Sequence, residues 1–186
     1  MLLEMRGATF RRGGEVLVTA QNVQLAQGDH LAHACENNRA AAIVAMMAAG
    51  LVRASGGAVY VGAFDPRIQP VHVKRLAGYV PHDALPNEFA SFEQYIEYRA
   101  ALWQLPQAES VVRARHIIAG LDGIHESFAY PLAGALIAQP RLLVLDRPQA
   151  VYGPQIIDAA KTCAIFSTHG SENEAARFSQ ACAVRV

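Results

Sequence analysis

The segment Arg141–Asp146 holds four consecutive apolar residues between a basic and an acidic residue, and it constrains the fold more than any other feature. A short apolar run without alternation is typical of a strand that is buried on both faces of a parallel sheet. Cys163–Thr168 has a similar apolar character further along the chain. Because helix-like segments separate such strands, the sequence predicts a mixed α/β fold.

Turn residues divide the rest of the chain into further predicted elements. The additional predicted strands are Leu2–Thr9, Glu15–Leu25, Ala58–Gly62, Gly78–Pro81 and Ala181–Val186. The predicted helices are Ala40–Ala49, Val71–Arg75, a segment that Ser91 caps and Pro106 ends, Ala108–Ala119, Leu132–Ala138 and Glu172–Ser179. We expect one domain over residues 1–186, into which a helical subdomain at about 88–135 is inserted.

Composition and charge argue against several classes of function. Apolar residues make up 52% of the 186 residues, and 16 basic residues balance 16 acidic ones, so the formal net charge is zero. This balance gives no electrostatic indication of nucleic-acid binding. The cysteines Cys35, Cys163 and Cys182 form no C-x-x-C pair, which argues against a thiolate metal site and favours a reducing, cytoplasmic compartment. The longest uncharged apolar run, Ala40–Val52, is too short to span a bilayer.

Several short phrases resemble, in chain order, the nucleotide-binding domain of an ABC transporter. These phrases are GDHLA at 28–32, SGGAV at 55–59, GYVP at 78–81, LLVLD at 142–146 and STH at 167–169. The resemblance extends over nearly the whole chain. It implies a P-loop NTPase-like ABC ATPase core with an inserted, shortened helical subdomain.

The phosphate-binding loop of that family departs from its usual pattern in this chain. The G-x-x-x-x-G-K-[ST] pattern closes backbone N–H groups on the phosphates, while its lysine neutralises charge and its hydroxyl binds Mg²⁺. Counted from Gly28, the loop falls on Cys35–Ala42, which reads CENNRAAA. Ala41 stands in the place of the lysine, Ala42 in that of the hydroxyl, and Arg39 is the only cation in the loop. The resemblance therefore implies that this site does not hold Mg·ATP in the usual way.

Other nucleotide-contacting positions of the family also carry different residues. Arg12 stands near the place of the aromatic residue that stacks on adenine, and His82 in that of the Q-loop glutamine. Asp146 matches the Walker B aspartate, but Arg147 follows it where the family has the glutamate that polarises the attacking water. His169 matches the H-loop histidine, for which we expect a structural hydrogen-bonding role. The resemblance thus implies neither a resident metal nor a bound cofactor.

The LSGGQ signature of the family has no counterpart in the sequence. An ungapped count back from Asp146 places it on Asp122–Glu126, and the alternative is a deletion after Gly120-Leu121. In the family two domains pair head to tail, so that each ATP lies between one phosphate loop and the opposite signature. A chain that lacks both a usual phosphate loop and a signature would leave both ATP sites of such a pair incomplete.

The aromatic residues Tyr95, Tyr98 and Trp103 lie in the predicted helical subdomain. Aromatic residues at helical spacing more often pack in a core than on a partner. In the family, however, this region receives the coupling helices of the membrane subunit. We therefore treat these three side chains as candidate partner contacts and leave both interpretations open.

The sequence leads to two main functional hypotheses. The first is a catalytically inactive pseudo-ATPase that acts as scaffold or regulator of an ABC transporter or another membrane complex. Its partners would be a transmembrane permease, an intact ABC ATPase or both, which would hold it at the inner face of the membrane. The second is a divergent nucleotide-binding subunit or nucleotide sensor that uses Arg12, Arg39 and Arg147 around a reshaped site. A decayed domain without a role is a third possibility, against which the foldable core phrases argue.

Overall fold

The computed structural model of the chain describes residues 1–82, 89 and 91–183, which form two sheets and seven α-helices. The strands are β1 Leu3–Arg12, β2 Glu15–Leu25, β3 His30–Ala34, β4 Gly56–Val61, β5 Ala77–Val80, β6 Leu142–Asp146 and β7 Ala164–His169. The helices are α1 Asn38–Ala48, α2 Pro70–Leu76, α3 Phe92–Leu102, α4 Gln107–Ala119, α5 Glu126–Leu136, α6 Gly153–Ala159 and α7 Glu172–Ala183. A 3₁₀ turn at Ala150–Tyr152 precedes α6.

The two sheets differ in direction, and their arrangement confirms the predicted mixed α/β class. One is parallel with strand order β3-β7-β6-β5, and the other is antiparallel with order β2-β1-β4. All five residues of β6 are buried, as its continuous apolar run predicts. Parallel strands end at the same edge, so Asp146 lies beside Thr168 and His33 lies on the other side of Thr168. This edge is where the candidate site forms.

Helix α1 packs between the two sheets and joins them into one core. Its buried face shares a hydrophobic cluster with the antiparallel sheet and with Val144 and Phe166 of the parallel sheet. The other face of the parallel sheet is covered by α5, α6 and α7, which bury Leu143, Leu145 and Ile165. Both faces of the parallel sheet are therefore covered, as is usual for this sheet type.

The helices α3 to α5 carry a third hydrophobic cluster of their own. Ser91 accepts a hydrogen bond from the Gln94 N–H at 3.2 Å, which confirms the predicted cap at the start of α3. The boundaries 88–135 of the helical subdomain stay a prediction, and Glu88 lies outside the described residues. No helix within the described parts of the chain is both long and apolar enough to cross a bilayer.

The predicted start of a helix after Pro131 is wrong. Helix α5 begins at Glu126, and Pro131 lies inside it. A proline within a helix removes one backbone hydrogen bond, so the local sequence favours a boundary there. The helix continues because it buries an apolar face against the parallel sheet, including Phe128, Leu132 and Leu136. The free energy of burying this face outweighs the lost hydrogen bond.

The predicted strand Ala181–Val186 is wrong over its described part. Helix α7 continues to Ala183, and residues 184–186 lie outside the described residues. The helix packs closely on the start of α6, where a Cβ on Gly153 would lie 3.0 Å from the Cβ of Ala181. This tertiary contact, which a short apolar run cannot reveal, favours helix over strand.

Candidate functional site

The short loop between β3 and α1 bonds its polar groups within the protein. The Asn37 side chain accepts from the Ala40 N–H at 2.9 Å, and the Cys35 N–H donates to the His169 carbonyl at 2.8 Å. The hydroxyl of Thr19 donates to the Glu36 carboxylate. Loops that bind phosphate at a helix N-terminus turn such N–H groups toward the ligand. Two of these donors are already used here, which leaves fewer for a phosphate.

The residues that follow this loop have few groups that could bind a phosphate or a metal. Ala41 is fully buried in the core, and Ala42 is partly buried at the surface of a cavity. Neither side chain carries a charge or a hydroxyl. Arg39 lies in the first turn of α1 with its side chain 63% exposed, and its guanidinium is 3.9 Å from the Glu15 carboxylate. An ion pair this exposed contributes little to stability.

Asp146, at the end of β6, is held by Arg147, the next residue in the chain. The Nε and Nη2 atoms of Arg147 lie 2.8 Å and 3.2 Å from the two carboxylate oxygens of Asp146. The Asp146 side chain is only 4% exposed and that of Arg147 18%. A bidentate arginine–carboxylate pair is a strong, charge-assisted interaction. Both oxygens of the Asp146 carboxylate are therefore engaged by a side chain of the same protein.

The backbone of Arg147 is also fixed by its neighbours. Its N–H donates to the Thr168 carbonyl at 2.9 Å, and its carbonyl accepts from Nδ1 of His82 at 3.0 Å. Its φ of 50° lies in the left-handed region, which costs a non-glycine residue roughly 1 kcal/mol. Contacts to β7 and to the end of β5 hold this conformation. His82, predicted at the Q-loop position, therefore supports the backbone of Arg147.

His169 and Cys35 lie on either side of one backbone hydrogen bond, and both are buried. Burial lowers the pKa of His169 to about 4, so the ring is neutral at pH 7, and its Nε2 lies 3.0 Å from the Ser167 hydroxyl. Burial, and next the charge of Glu36, raise the pKa of Cys35 to about 12, so this thiol stays protonated. Within residues 1–82, 89 and 91–183, no group of three His, Cys, Asp or Glu side chains could hold a metal ion.

The structure brings together the three arginines whose convergence the sequence left open. Arg12, Arg39 and Arg147 all line one cavity of about 360 Å³ along one side of α1. Apolar residues form much of the remaining lining: Phe10, Leu17, Ile43, Met46 and Val52. No sequence pattern predicts this apolar wall, because its residues come from β1, β2, α1 and the segment after α1 and meet only in the tertiary fold.

A second cavity, of about 380 Å³, lies where β5, β6 and β7 end. His82, Arg147 and His169 line it together with Glu174 and Arg177 of α7. Sequence reasoning missed the two α7 residues, since charges on a helix usually mark a solvated face. Glu174 accepts from the Gly170 N–H at 3.1 Å and thus closes the turn that follows His169.

The candidate partner contacts differ in exposure, and Tyr95 must be removed from them. Tyr95 is only 4% exposed and packs so closely on α5 that a Cβ on Gly134 would lie 2.6 Å from its hydroxyl. It is a core residue of the helical region. Tyr98 is 50% exposed, and Trp103 is partly buried at the end of α3. Leu102, at 60% exposure, adds an apolar side chain to this surface.

The Asp146–Arg147 pair yields a first prediction. Arg147→Ala should lower the free energy of unfolding by about 3–5 kcal/mol, because it leaves a buried carboxylate unpaired. Adding Asp146→Ala should restore part of that loss, and urea unfolding at pH 7 of the two single variants and the double variant measures the coupling. The pair Arg115–Glu93, with side chains 64% and 40% exposed, is the control and should show a much smaller coupling. If the decreases in the free energy of unfolding for the two single variants simply add in the double variant, the buried ion pair is contradicted.

The buried imidazole of His169 yields a second prediction. Because its pKa is lowered from 6.5 to about 4 in the folded state, the unfolded chain binds more protons between these values. The free energy of unfolding should therefore fall as the pH drops from about 6.5 toward 4. His30 and His33, whose pKa values burial also lowers, act in the same direction. Denaturant titrations across this range should give a shallower fall for His169→Gln than for the exposed control His116→Gln; equal slopes would refute the assignment.

Comparisons with known proteins give matches in structure. No protein-family model matches the sequence. An ATP-binding subunit of an ABC transporter matches with a TM-score of 0.70 and 16% identity, over 96% of this chain and 83% of that one. CbiO1 from Clostridium perfringens, part of the ABC transporter complex CbiONQ, matches with a TM-score of 0.64 and 16% identity, over 90% and 78% of the two chains.

A third solved structure points to the same fold. A putative ABC transporter ATP-binding protein from Pyrococcus furiosus matches with a TM-score of 0.69 and 11% identity, over 92% of each chain. At such low identities these likenesses establish the architecture alone, without the chemistry. The chain has the P-loop NTPase-like fold of ABC transporter ATP-binding subunits.

Proposed function

We propose that this chain is an ABC-ATPase-like subunit without ATP hydrolysis, which acts by binding as a scaffold or regulator of an ABC transporter or another membrane complex. The observation that carries the proposal is the bidentate pair between Asp146 and Arg147. Phosphoryl transfer depends on a metal and on positioned groups that stabilise developing charge and orient the nucleophile. In this chain an arginine holds the aspartate and stands where the water-polarising glutamate would be.

The N-terminus of α1 supports the proposal independently. In the related fold the phosphates would lie against this helix end, with a lysine and a hydroxyl beside them. Ala41 and Ala42 offer neither group, and the first-turn N–H of Ala40 already bonds to Asn37. Nucleotide binding here would lack the main contacts to its terminal phosphates.

The start of α5 bears on the opposite site of a head-to-tail pair. In the family each ATP lies against the opposite signature, which an ungapped count from Asp146 places on Asp122–Glu126, ending at the first residue of this helix. Here His125 caps the helix by accepting from the Ser127 N–H at 3.2 Å, and Glu126 adds an acidic side chain to the first turn. A negative charge at this position would repel a phosphate. A pair that includes this chain would thus lack a working contribution to either site.

The membrane complex is supported by the fold and by one exposed surface. One structural neighbour, CbiO1, is part of an ABC transporter complex. Tyr98 and Leu102 expose apolar surface on α3, in the helical region that contacts the membrane subunit in the family. We place the chain at the inner face of the membrane, attached through a permease subunit, an intact ABC ATPase or both.

A phosphate-release assay tests the absence of hydrolysis. The purified chain should release no phosphate from Mg·ATP above a buffer control, while an intact ABC ATPase in parallel reports an active assay. Arg147→Glu should remain equally inactive, since Ala41 and Ala42 still lack the lysine and hydroxyl functions. Release that scales with the chain and disappears in Asp146→Asn would overturn the proposal.

Capture from detergent-solubilised native membranes tests the partner. The tagged chain should recover a multi-span permease, alone or with an intact ABC ATPase, as read by mass spectrometry. Tyr98→Ala and Leu102→Ala should each reduce that recovery, because each removes exposed apolar contact area. Ile68→Ala, at an apolar side chain that is 77% exposed on another segment, is the matched control. Recovery of soluble proteins alone, or recovery unchanged by both α3 variants, would contradict a membrane partner at this surface.

A further inference from the structure

The cavity lined by Arg12, Arg39 and Arg147 has a cationic rim and an apolar wall. Its arginines come from three separate segments: the end of β1, the first turn of α1 and the residue after β6. The apolar wall is formed by Phe10, Leu17, Ile43, Met46 and Val52. Small-molecule sites combine such an apolar lining with a few polar groups that fix orientation.

The arginines are not equally compensated by carboxylates. Arg147 is paired with Asp146, and Arg39 lies 3.9 Å from Glu15 in a loose, exposed contact. Across the described ranges, with 83–88, 90 and 184–186 aside, Arg12 has no ion-pair partner. The rim therefore offers one unpaired cation, Arg12, and a second cation, Arg39, whose weak contact with Glu15 an anionic ligand can replace. A guanidinium group binds a phosphate through two parallel N–H donors.

The small number of available cations disfavours a triphosphate as the ligand of this cavity. One or two available arginines match a single phosphoryl group, whereas a triphosphate would leave most of its charge uncompensated. A divalent metal has no free carboxylate to bind at Asp146, because Arg147 holds both of its oxygens. The volume of about 360 Å³ lies near the lower end of the range of roughly 300–1,000 Å³ for ligand pockets, so the ligand is compact.

We propose that this cavity binds a small phosphate monoester with an aromatic or apolar body, without a divalent metal. The phosphoryl group lies between Arg12 and Arg39, and the apolar body lies against Phe10, Ile43 and Met46. The proposed ligand differs from Mg·ATP in both charge and metal requirement. Binding at this cavity does not require a membrane partner, since the isolated chain is enough to test it.

Calorimetric titration of the 186-residue chain with phenyl phosphate in EDTA is the test. We expect one site per chain, with an affinity that added Mg²⁺ leaves unchanged. Inorganic phosphate should bind at least about tenfold more weakly, because it makes none of the apolar contacts. Equal binding of the two would reduce the cavity to a plain anion site and overturn the monoester assignment.

Variants of exposed arginines locate the binding. Arg12→Ala and Arg39→Ala should each weaken phenyl phosphate binding by about tenfold or more, the size of a lost charge-assisted hydrogen bond. Arg75→Ala is the matched control, since Arg75 is exposed on α2 and does not line the cavity, and it should bind as the wild type does. Unchanged melting temperatures check the fold of each variant.

Two further outcomes would overturn the proposal: no heat of binding at millimolar phenyl phosphate in the wild type, or affinity that neither Arg12→Ala nor Arg39→Ala lowers. Either outcome would leave the expected results of the phosphate-release and membrane-capture experiments unchanged. The proposed function and this ligand site are thus tested separately.

Discussion

The buried ion pair between Asp146 and Arg147 is the interaction on which the site depends. A carboxylate at the end of a central buried strand is costly unless a cation or hydrogen-bond donors compensate it. Arg147 supplies that cation from the next position in the chain, in a left-handed backbone conformation. Because its N–H and carbonyl bond to Thr168 and His82, one residue ties together the ends of β5, β6 and β7.

A sheet edge whose buried carboxylate is balanced within the protein differs physically from one that needs a metal to balance it. Asp146 has its counter-ion, Ala40 has its hydrogen-bond acceptor, and the pKa of His169 is lowered by burial so that its ring is neutral. The fold can therefore be stable at this edge without metal or nucleotide. Under the proposed function this architecture acts as a rigid body that presents surfaces, because function resides in sites rather than in folds.

Sequence patterns predicted the parts of the structure that depend on local chemistry. The apolar run of β6 and the Ser91 cap of α3 follow from short segments alone. Tertiary packing decided the rest: α5 runs through Pro131 because its face is buried, and Tyr95 is in the core because Gly134 lets two helices approach. The convergence of the three cavity arginines needed the complete fold, since no local pattern relates β1, α1 and the end of β6.

Thermal unfolding of the wild-type chain in ATP, with EDTA and with excess Mg²⁺, tests the central claim most directly. A ligand that binds only the folded state raises the melting temperature, by an amount that grows with the logarithm of its concentration relative to its Kd. If Arg147 occupies the Asp146 carboxylate in place of a metal, the two melting temperatures should be equal. A higher melting temperature with Mg²⁺ and ATP together, lost in Asp146→Asn, would show that the carboxylate binds metal and would contradict the account.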